Sequence, residues 1–284
     1  MKAAAWPPIP EIRPGQSIEL LKELHILTGD GRLNQDTRRK LKQVYHLYQF
    51  IEPLLNEVLE RRGDLTLADH GAGKSYLGFI LYDLFFKDKE VGHLYGIETR
   101  PELVAKSQEL AERLGFERMT FLNLTVEESI VSPALPERID IVTALHACNT
   151  ATDDAIRFAL AKQARHIVLV PCCQAEVAAV LRKNKGAALK HPLAELWRHP
   201  IHTREFGSHL TNVLRCLQLE AHGYQVTVTE LVGWEHSMKN ELIVASYQDL
   251  PRQRAADRLQ ALLQSVGLEE LQGRFFVGAG HADQ

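Results

Sequence analysis

Three short stretches of the sequence hold residue types that do chemistry, at spacing that could bring them to one place. The first is Ala68-Asp69-His70-Gly71-Ala72-Gly73-Lys74-Ser75, with two glycines one residue apart just after an apolar run. Glycine there lets backbone approach a ligand closely, and the N–H groups opening a following helix can receive an anion. Glu98 closes the next apolar run. A carboxylate in that place can accept the hydroxyls of a ribose, or simply stand solvated at a strand end. The second stretch is Leu145-His146-Ala147-Cys148-Asn149-Thr150-Ala151-Thr152-Asp153. His146 can act as a general base near neutral pH, or sit buried and hydrogen-bonded. Asp153 suits the first turn of a helix, whose dipole favours an anion. The third stretch is the adjacent pair Cys172-Cys173. A nucleophilic thiolate needs an activating neighbour, which the sequence does not show; otherwise the pair lines a pocket as small apolar residues.

The elements around these stretches alternate in kind. From Asp36 to Arg62, apolar residues such as Leu41, Val44, Leu47, Ile51, Leu55 and Val58 recur at three- and four-residue spacing. That is an amphipathic helix, in which Pro53 predicts a kink or break. Strands are then expected over Leu65–Ala68, His93–Ile97, Met119–Leu122, Ile139–Leu145 and His166–Val170. Helices alternate with them over Ser75–Phe86, Pro101–Leu114, Val126–Ile130 and Thr152–Lys162. Such alternation predicts an α/β fold, a parallel sheet with helices on both faces. The Gly turn then lies at the carboxyl edge, where open α/β sheets bind ligands. A helix over Leu210–Ala221 leads to strands over Tyr224–Leu231 and Leu242–Ser246, and their short connection predicts an antiparallel pair. Residues 1–36, with four of the 12 prolines, read as a loosely ordered lead-in. Pro251–Gln284 reads as an amphipathic helix with a frayed end.

Three ligand classes compete for the Gly turn. A P-loop reads GxxxxGK[ST]; Gly73-Lys74-Ser75 fit, but Ala68 stands where the first Gly belongs and the strand extends through it. No apolar strand ends in a clear magnesium-binding Asp, since Asp140 opens its strand and the fifth ends Val170-Pro171. A dinucleotide turn reads GxGxxG, and position 76 is Tyr. An adenosyl ligand with a ribose and no pyrophosphate needs only two glycines. Its carboxylate can use the helix N-terminus, its ammonium or water network Asp69, and its ribose Glu98. S-adenosylmethionine is such a ligand and is the reading these residues favour.

The strand–DHGAGKSYL–helix unit, the Gly96-Ile97-Glu98 strand end and the final antiparallel pair resemble class I S-adenosylmethionine-dependent methyltransferases, over roughly residues 40–248. The resemblance implies a Rossmann-like seven-stranded, mostly parallel sheet whose seventh strand is inserted antiparallel. It implies cofactor contacts at Asp69, His70, Gly71, Gly73, Lys74, Tyr76 and Glu98, with Asn123 or Thr125 near the adenine and His146 beside the sulfonium. Leu145–Asp153 is further similar to an LHxCGxxTD pattern in one branch of these enzymes, which includes a tRNA ribose 2′-O-methyltransferase. That branch has a Cys-Cys pair after strand five and an HTPKN-type turn between the last strands. Here they are matched by Pro171-Cys172-Cys173-Gln174 and His236-Ser237-Met238-Lys239-Asn240. On that resemblance His146, Cys148 and Asp153 are catalytic, while Cys172, Cys173, His236, Lys239 and Asn240 meet the acceptor. Asn149 stands where the branch has Gly, and Asn tolerates left-handed backbone better than most residues.

Composition bounds the rest. In 284 residues, 33 Lys and Arg against 36 Asp and Glu leave a net charge of −3, so any nucleic-acid contact must come from a local patch. Residues 182–209 offer one: Arg182, Lys183, Lys185, Lys190, Arg198 and Arg204 face only Glu195 and Glu205, with Trp197 and Phe206 placed to stack on bases. With Arg38-Arg39-Lys40-Leu41-Lys42 this insertion predicts an RNA-facing surface, although a solvated helical face has the same signature. RNA, as tRNA or rRNA, is the favoured acceptor. The alternatives are a protein side chain, a small molecule, or a non-catalytic cofactor-binding module. Four cysteines without a CxxC pair predict no metal site. The most apolar stretch, Tyr76–Phe86, is 11 residues long and contains Asp83, against roughly 18 needed to span a bilayer. The start lacks a signal-peptide core, so a soluble, cytoplasmic protein without membrane contact is expected. The expected organisation is an N-terminal extension and helix over 1–62, a methyltransferase domain over 63–248, and a helical tail over 249–284.

Overall fold

The computed structural model describes residues 10–145, 149–171, 174–184, 192–231 and 241–276. Its strands are β1 (Thr66–His70), β2 (His93–Glu98), β3 (Met119–Asn123), β4 (Ile141–Leu145), β5 (His166–Val170), β6 (Tyr224–Glu230) and β7 (Glu241–Tyr247). They form one seven-stranded sheet in the order β3-β2-β1-β4-β5-β7-β6. β1 to β5 are mutually parallel, and β7 lies antiparallel between β5 and β6. This is the expected Rossmann-like sheet with its inserted last strand. β1 lies between β2 and β4, with Asp69 in register with Gly96 of β2 and Thr143 of β4.

Alternation along the strands builds two cores, one on each face. Leu67, Ile141 and Val168 pack under Leu47, Ile51, Leu55 and Val58 of α2 (Gln35–Arg62) and Phe79 of α3 (Tyr76–Leu81). Ala68, Val142, Ile167 and Leu169 pack under Ile156, Phe158 and Ala159 of α6 (Ala151–Ala161). With both faces covered, β5 is buried at every residue, which is why its sequence is a continuous apolar run. α4 (Pro101–Leu114) opens on Pro at its first turn and stops at Gly115, φ +68°. α5 (Val126–Val131) opens on a Thr125/Glu128 capping box.

Four expectations need correction. α2 runs unbroken through Pro53, because its buried face, Ile51 before the proline and Leu55 and Val58 after it, is pinned to the sheet. The lead-in from residue 10 onward is packed. α1 (Ile18–Glu23) is capped by Ser17, whose N–H donates to the buried Asp83 carboxylate at 3.0 Å. Leu21, Ile26 and Leu27 then close on Leu41 and Ile80. These apolar residues follow no regular period, so the sequence pattern hid them. Third, the helix expected from Leu210 begins ten residues earlier: α8 spans Pro200–Glu220 and takes in much of the presumed insertion. It packs with α7 (Glu176–Lys183) and α9 (Gln253–Ser265) around Trp197, Leu214, Leu259 and Phe275, so the tail is part of a third core. Fourth, Trp197 is 1% exposed and stacks on Phe206 at 5.2 Å, so it faces this core and no base. Gly207 allows the contact between α7 and α8, since a Cβ there would lie 2.8 Å from the Ala178 backbone. Among the described residues no helix is long and apolar enough to cross a membrane.

Candidate functional site

β1 ends at His70, and the chain then turns through Gly71 (φ +67°), Gly73 (φ +59°) and Ser75 (φ +50°) before α3. Left-handed backbone of this kind costs little at glycine and more elsewhere. The turn is tied to the end of β2 twice. Ala72 N–H donates to the Ile97 carbonyl at 3.0 Å, and Gly73 N–H donates to Glu98 Oε2 at 2.7 Å. Glu98 is itself loaded: Oε1 accepts from the backbone of Thr99 at 3.0 Å and of Arg100 at 3.1 Å, and from Arg100 Nε at 3.0 Å. Burial pushes its pKa up, but the donors from Arg100 and Gly73 outweigh that and hold it below the usual carboxylate range. The sequence shows Glu98 as an open acceptor; the structure shows it anchoring the turn.

Asp69 and His70 leave β1 on opposite faces of the sheet. Asp69 is 2% exposed and accepts the Thr143 hydroxyl at 2.9 Å. Burial pushes its pKa up to about 7, against the pull of that hydrogen bond. His70 is 6% exposed, its ring 5.1 Å from that of Phe158. Burial pushes its pKa down to about 4, with the nearby Glu98 opposing, so the imidazole is neutral at physiological pH. Both ring nitrogens are buried without a hydrogen-bond partner among the described residues. Buried polar atoms are rarely left so, because each costs free energy until something satisfies it.

A cavity of about 480 Å³ opens on the Gly turn. Asp69, Gly71, Gly73, Lys74, Tyr76 and Leu145 form one wall, and Lys40, Gln43, Val44 and Leu47 of α2 form the other, with His25 and Arg100 beside them. Its size and its mix of apolar wall with a few polar groups match small-molecule sites. The residues present fit an adenosyl amino acid: the glycine cradle admits close backbone approach, Asp69 offers a carboxylate to an ammonium, and the apolar wall suits a thioether. His70, expected among the cofactor contacts, is not part of this lining; it packs against Phe158 on the opposite face of the sheet.

The other expected site residues divide three ways. Asn123 donates Nδ2 to the Glu98 carbonyl at 3.0 Å, and Thr125 caps α5; both are engaged locally at the ends of β3 and α5. Asp153 lies off the cavity, 6% exposed, in a bidentate pair with Arg215 at 2.8 Å. His146, Cys148, Cys172, Cys173, His236, Lys239 and Asn240 lie outside the described residues. Asn149 has the left-handed backbone its residue type tolerates, φ +54°. Sequence reasoning missed Arg100 and Gln43, and took Lys40 as part of a basic surface without placing it at the cavity. Arg100 carried a faint signal two residues beyond Glu98; the α2 residues carried none of their place there, because nothing in the sequence shows that α2 roofs the turn. Among the described residues no cluster of His, Cys, Asp or Glu could hold a metal ion.

A family model described as a methyltransferase domain matches residues 39–180. No curated protein matches the chain. Among solved structures, the chain is similar to magnesium protoporphyrin IX methyltransferase from Synechocystis PCC 6803 with bound SAH, at 15% identity and TM-score 0.45, covering 81% of this chain and 93% of that one. It is also similar to the N-terminal domain of human METTL16 in complex with SAH, at 10% identity and TM-score 0.44, covering 72% and 70%. A third is precorrin-6y C5,15-methyltransferase from Geobacter metallireducens GS-15, at 17% identity and TM-score 0.39, covering 65% and 80%.

Proposed function

Since the chain belongs to this methyltransferase-domain family, we propose that it methylates RNA, with S-adenosylmethionine as the methyl donor. When bound, S-adenosylmethionine supplies an electrophilic methyl group on sulfonium sulfur, open to in-line displacement. The protein's own share is mostly placement, since holding acceptor and methyl group together removes much of the barrier. Asp69 would receive the amino group, Gly71 and Gly73 would let the backbone close on the amino-acid end, and Tyr76 and Leu145 would pack beside the thioether. Glu98 would accept ribose hydroxyls once the half-exposed Arg100 gives way. His146, next in sequence after the cavity-lining Leu145, is the proposed base for an acceptor that loses a proton.

One observation carries the RNA reading. Lys40 of α2 and Lys74 of the Gly turn line the same cavity. Arg39 and Lys42 are exposed along the same helix beside Arg38, which pairs with Glu11 at 3.0 Å, while Lys40 pairs with the exposed Asp36 at 3.2 Å. A basic lip beside a methyl-donor pocket suits a phosphate backbone leading to the reacting nucleotide. Of the exposed residues Arg182, Lys183, Arg198 and Arg204 on and around α7 and α8, Lys183 pairs with Glu270, Arg198 with Glu195 and Arg204 with Glu205, so the positive charge they add is partly neutralised. The test offers total RNA, total protein and small-molecule fractions together with tritiated S-adenosylmethionine. Label in tRNA or rRNA, weakened by salt and by Lys40→Glu with Lys42→Glu, is the expected result. Label in protein or small molecules alone would overturn the RNA acceptor and leave the methyltransferase.

A further inference from the structure

At the carboxyl edge of the sheet, a chain of polar side chains, buried at Arg215, Asp153, Asn212, Gln174 and Ser208, joins segments that are far apart in sequence. Its hub is Arg215, 1% exposed on α8. Nε and Nη2 each donate to the Asp153 carboxylate at 2.8 Å. Nη2 also donates to the Asn149 carbonyl at 2.9 Å, and Nη1 to Asn212 Oδ1 at 3.2 Å. Asn212 Oδ1 accepts Gln174 Nε2 at 2.7 Å, and Asn212 Nδ2 donates to Glu241 Oε2 at 2.8 Å. Ser208 donates its hydroxyl to Gln174 Oε1 at 2.8 Å, and the Ala175 N–H donates to Asn149 Oδ1 at 3.1 Å. Asn149 ahead of α6, Gln174 and Ala175 ahead of α7, and the first residue of β7 are thereby fastened to one helix. Because β7 is antiparallel, Glu241 lies at the edge where β4 and β5 end.

Stability alone is a poor account of this arrangement. A buried ion pair adds little net stability, since desolvation offsets much of the attraction. What a guanidinium does supply is planar geometry with five donors, used here on three different residues. Asn149 is held at both its carbonyl and its side chain, in the left-handed conformation that its residue type tolerates. Leu145, on the cavity wall, lies four residues before Asn149. At most ~14 Å of chain therefore separates the fastened Asn149 from the cavity.

We propose that Arg215 is a positioning residue: it fixes Asn149 after β4 and, through Asn149 and Asn212, Gln174 and Ala175 after β5, the chain positions that lead from the cofactor cavity, without itself touching cofactor or substrate. Its consequence for ligand binding rests on the methyltransferase reading; its effect on these positions does not. The test compares the full-length wild type with Arg215→Lys, Arg215→Met and the double variant Asp153→Leu/Arg215→Met. Each is measured for affinity to S-adenosylhomocysteine, for thermal midpoint, and for amide hydrogen exchange. The double variant leaves no unpaired buried charge, so it should regain most of the midpoint that Arg215→Met loses. Affinity should not return with it. All three variants should bind at least ten-fold more weakly, with exchange at Ala175 and Asp154 at least ten-fold faster and β1 and β4 unchanged. Affinity and exchange that recover together with the midpoint in the double variant would overturn the proposal, leaving Arg215 a stabilising residue only. If the wild type fails to bind S-adenosylhomocysteine, the methyltransferase reading fails, and exchange at Ala175 and Asp154 alone decides whether Arg215 fixes these positions.

Discussion

The Glu98 carboxylate accepts the Gly73 N–H at 2.7 Å, binding the end of β2 to the glycine turn that follows β1. A carboxylate has about four lone-pair sites, and donors from Gly73, Thr99 and Arg100 fill them. Glu98 therefore shapes the cradle before it can receive a ligand.

Two substitutions separate these roles. Arg100→Ala frees one side of Glu98 and should strengthen binding of S-adenosylhomocysteine several-fold. Glu98→Ala should weaken it at least ten-fold and cost about 1–3 kcal/mol of stability, because donors inside the turn lose their partner. Calorimetric titration and denaturant melts read both effects; unchanged affinity in the two variants would remove Glu98 from the site.

Asp69 sets a pH signature. Its carboxyl titrates near 3.8 when unfolded and at about 7 in the native state. Between those values the native protein keeps a proton that the unfolded chain has released, so this group's contribution to stability falls as pH rises from about 4 to about 7, then stays level. Asp69→Asn should flatten that slope and, above pH 7, gain up to about 4 kcal/mol over the wild type. A cationic ligand group favours the ionised carboxylate, so binding near pH 6.5 should release a proton in the wild type and none in the variant. Binding enthalpies in buffers of different ionisation enthalpy measure it. A stability difference that does not vary with pH would contradict the account.

His70 can be tested by removing its unmet hydrogen-bonding demand. His70→Leu takes two unpartnered nitrogens out of the core beside Phe158 and should raise the thermal midpoint. His70 is outside the cavity lining, so the same variant should keep its affinity for S-adenosylhomocysteine within about two-fold. Binding at least ten-fold weaker would contradict that placement and return His70 to the cofactor contacts.

The fold was legible where local pattern and global arrangement agree. β5 and α4 occupy the residues their apolar period and capping residues indicate, and the antiparallel β6–β7 pair follows from its short connection. The lead-in was not legible, because Leu21, Ile26 and Leu27 are buried by contacts with α2 and α3 that no periodicity announces. Trp197 misled for the opposite reason: its basic neighbours suggested an exposed aromatic, while its ring lies under α8 against Phe206. At the site, the glycine turn, Asp69 and Glu98 could be found because one strand–turn–helix unit and the next strand end contain them. Asp153 carried a helix-start signal and a motif resemblance that implied catalysis, and neither pointed to its place off the cavity. Its partner Arg215 is 62 positions away, a pairing that a single sequence does not reveal.

The central claim is that the cavity at the Gly71–Gly73 turn takes an adenosyl amino acid. Calorimetric titration of the full-length protein with S-adenosylhomocysteine, beside ATP–Mg²⁺, tests it most directly. The account predicts one S-adenosylhomocysteine per chain, no heat from ATP–Mg²⁺, and binding lost in Asp69→Ala. Binding of ATP–Mg²⁺ alone, or S-adenosylhomocysteine bound equally well by Asp69→Ala, would contradict it.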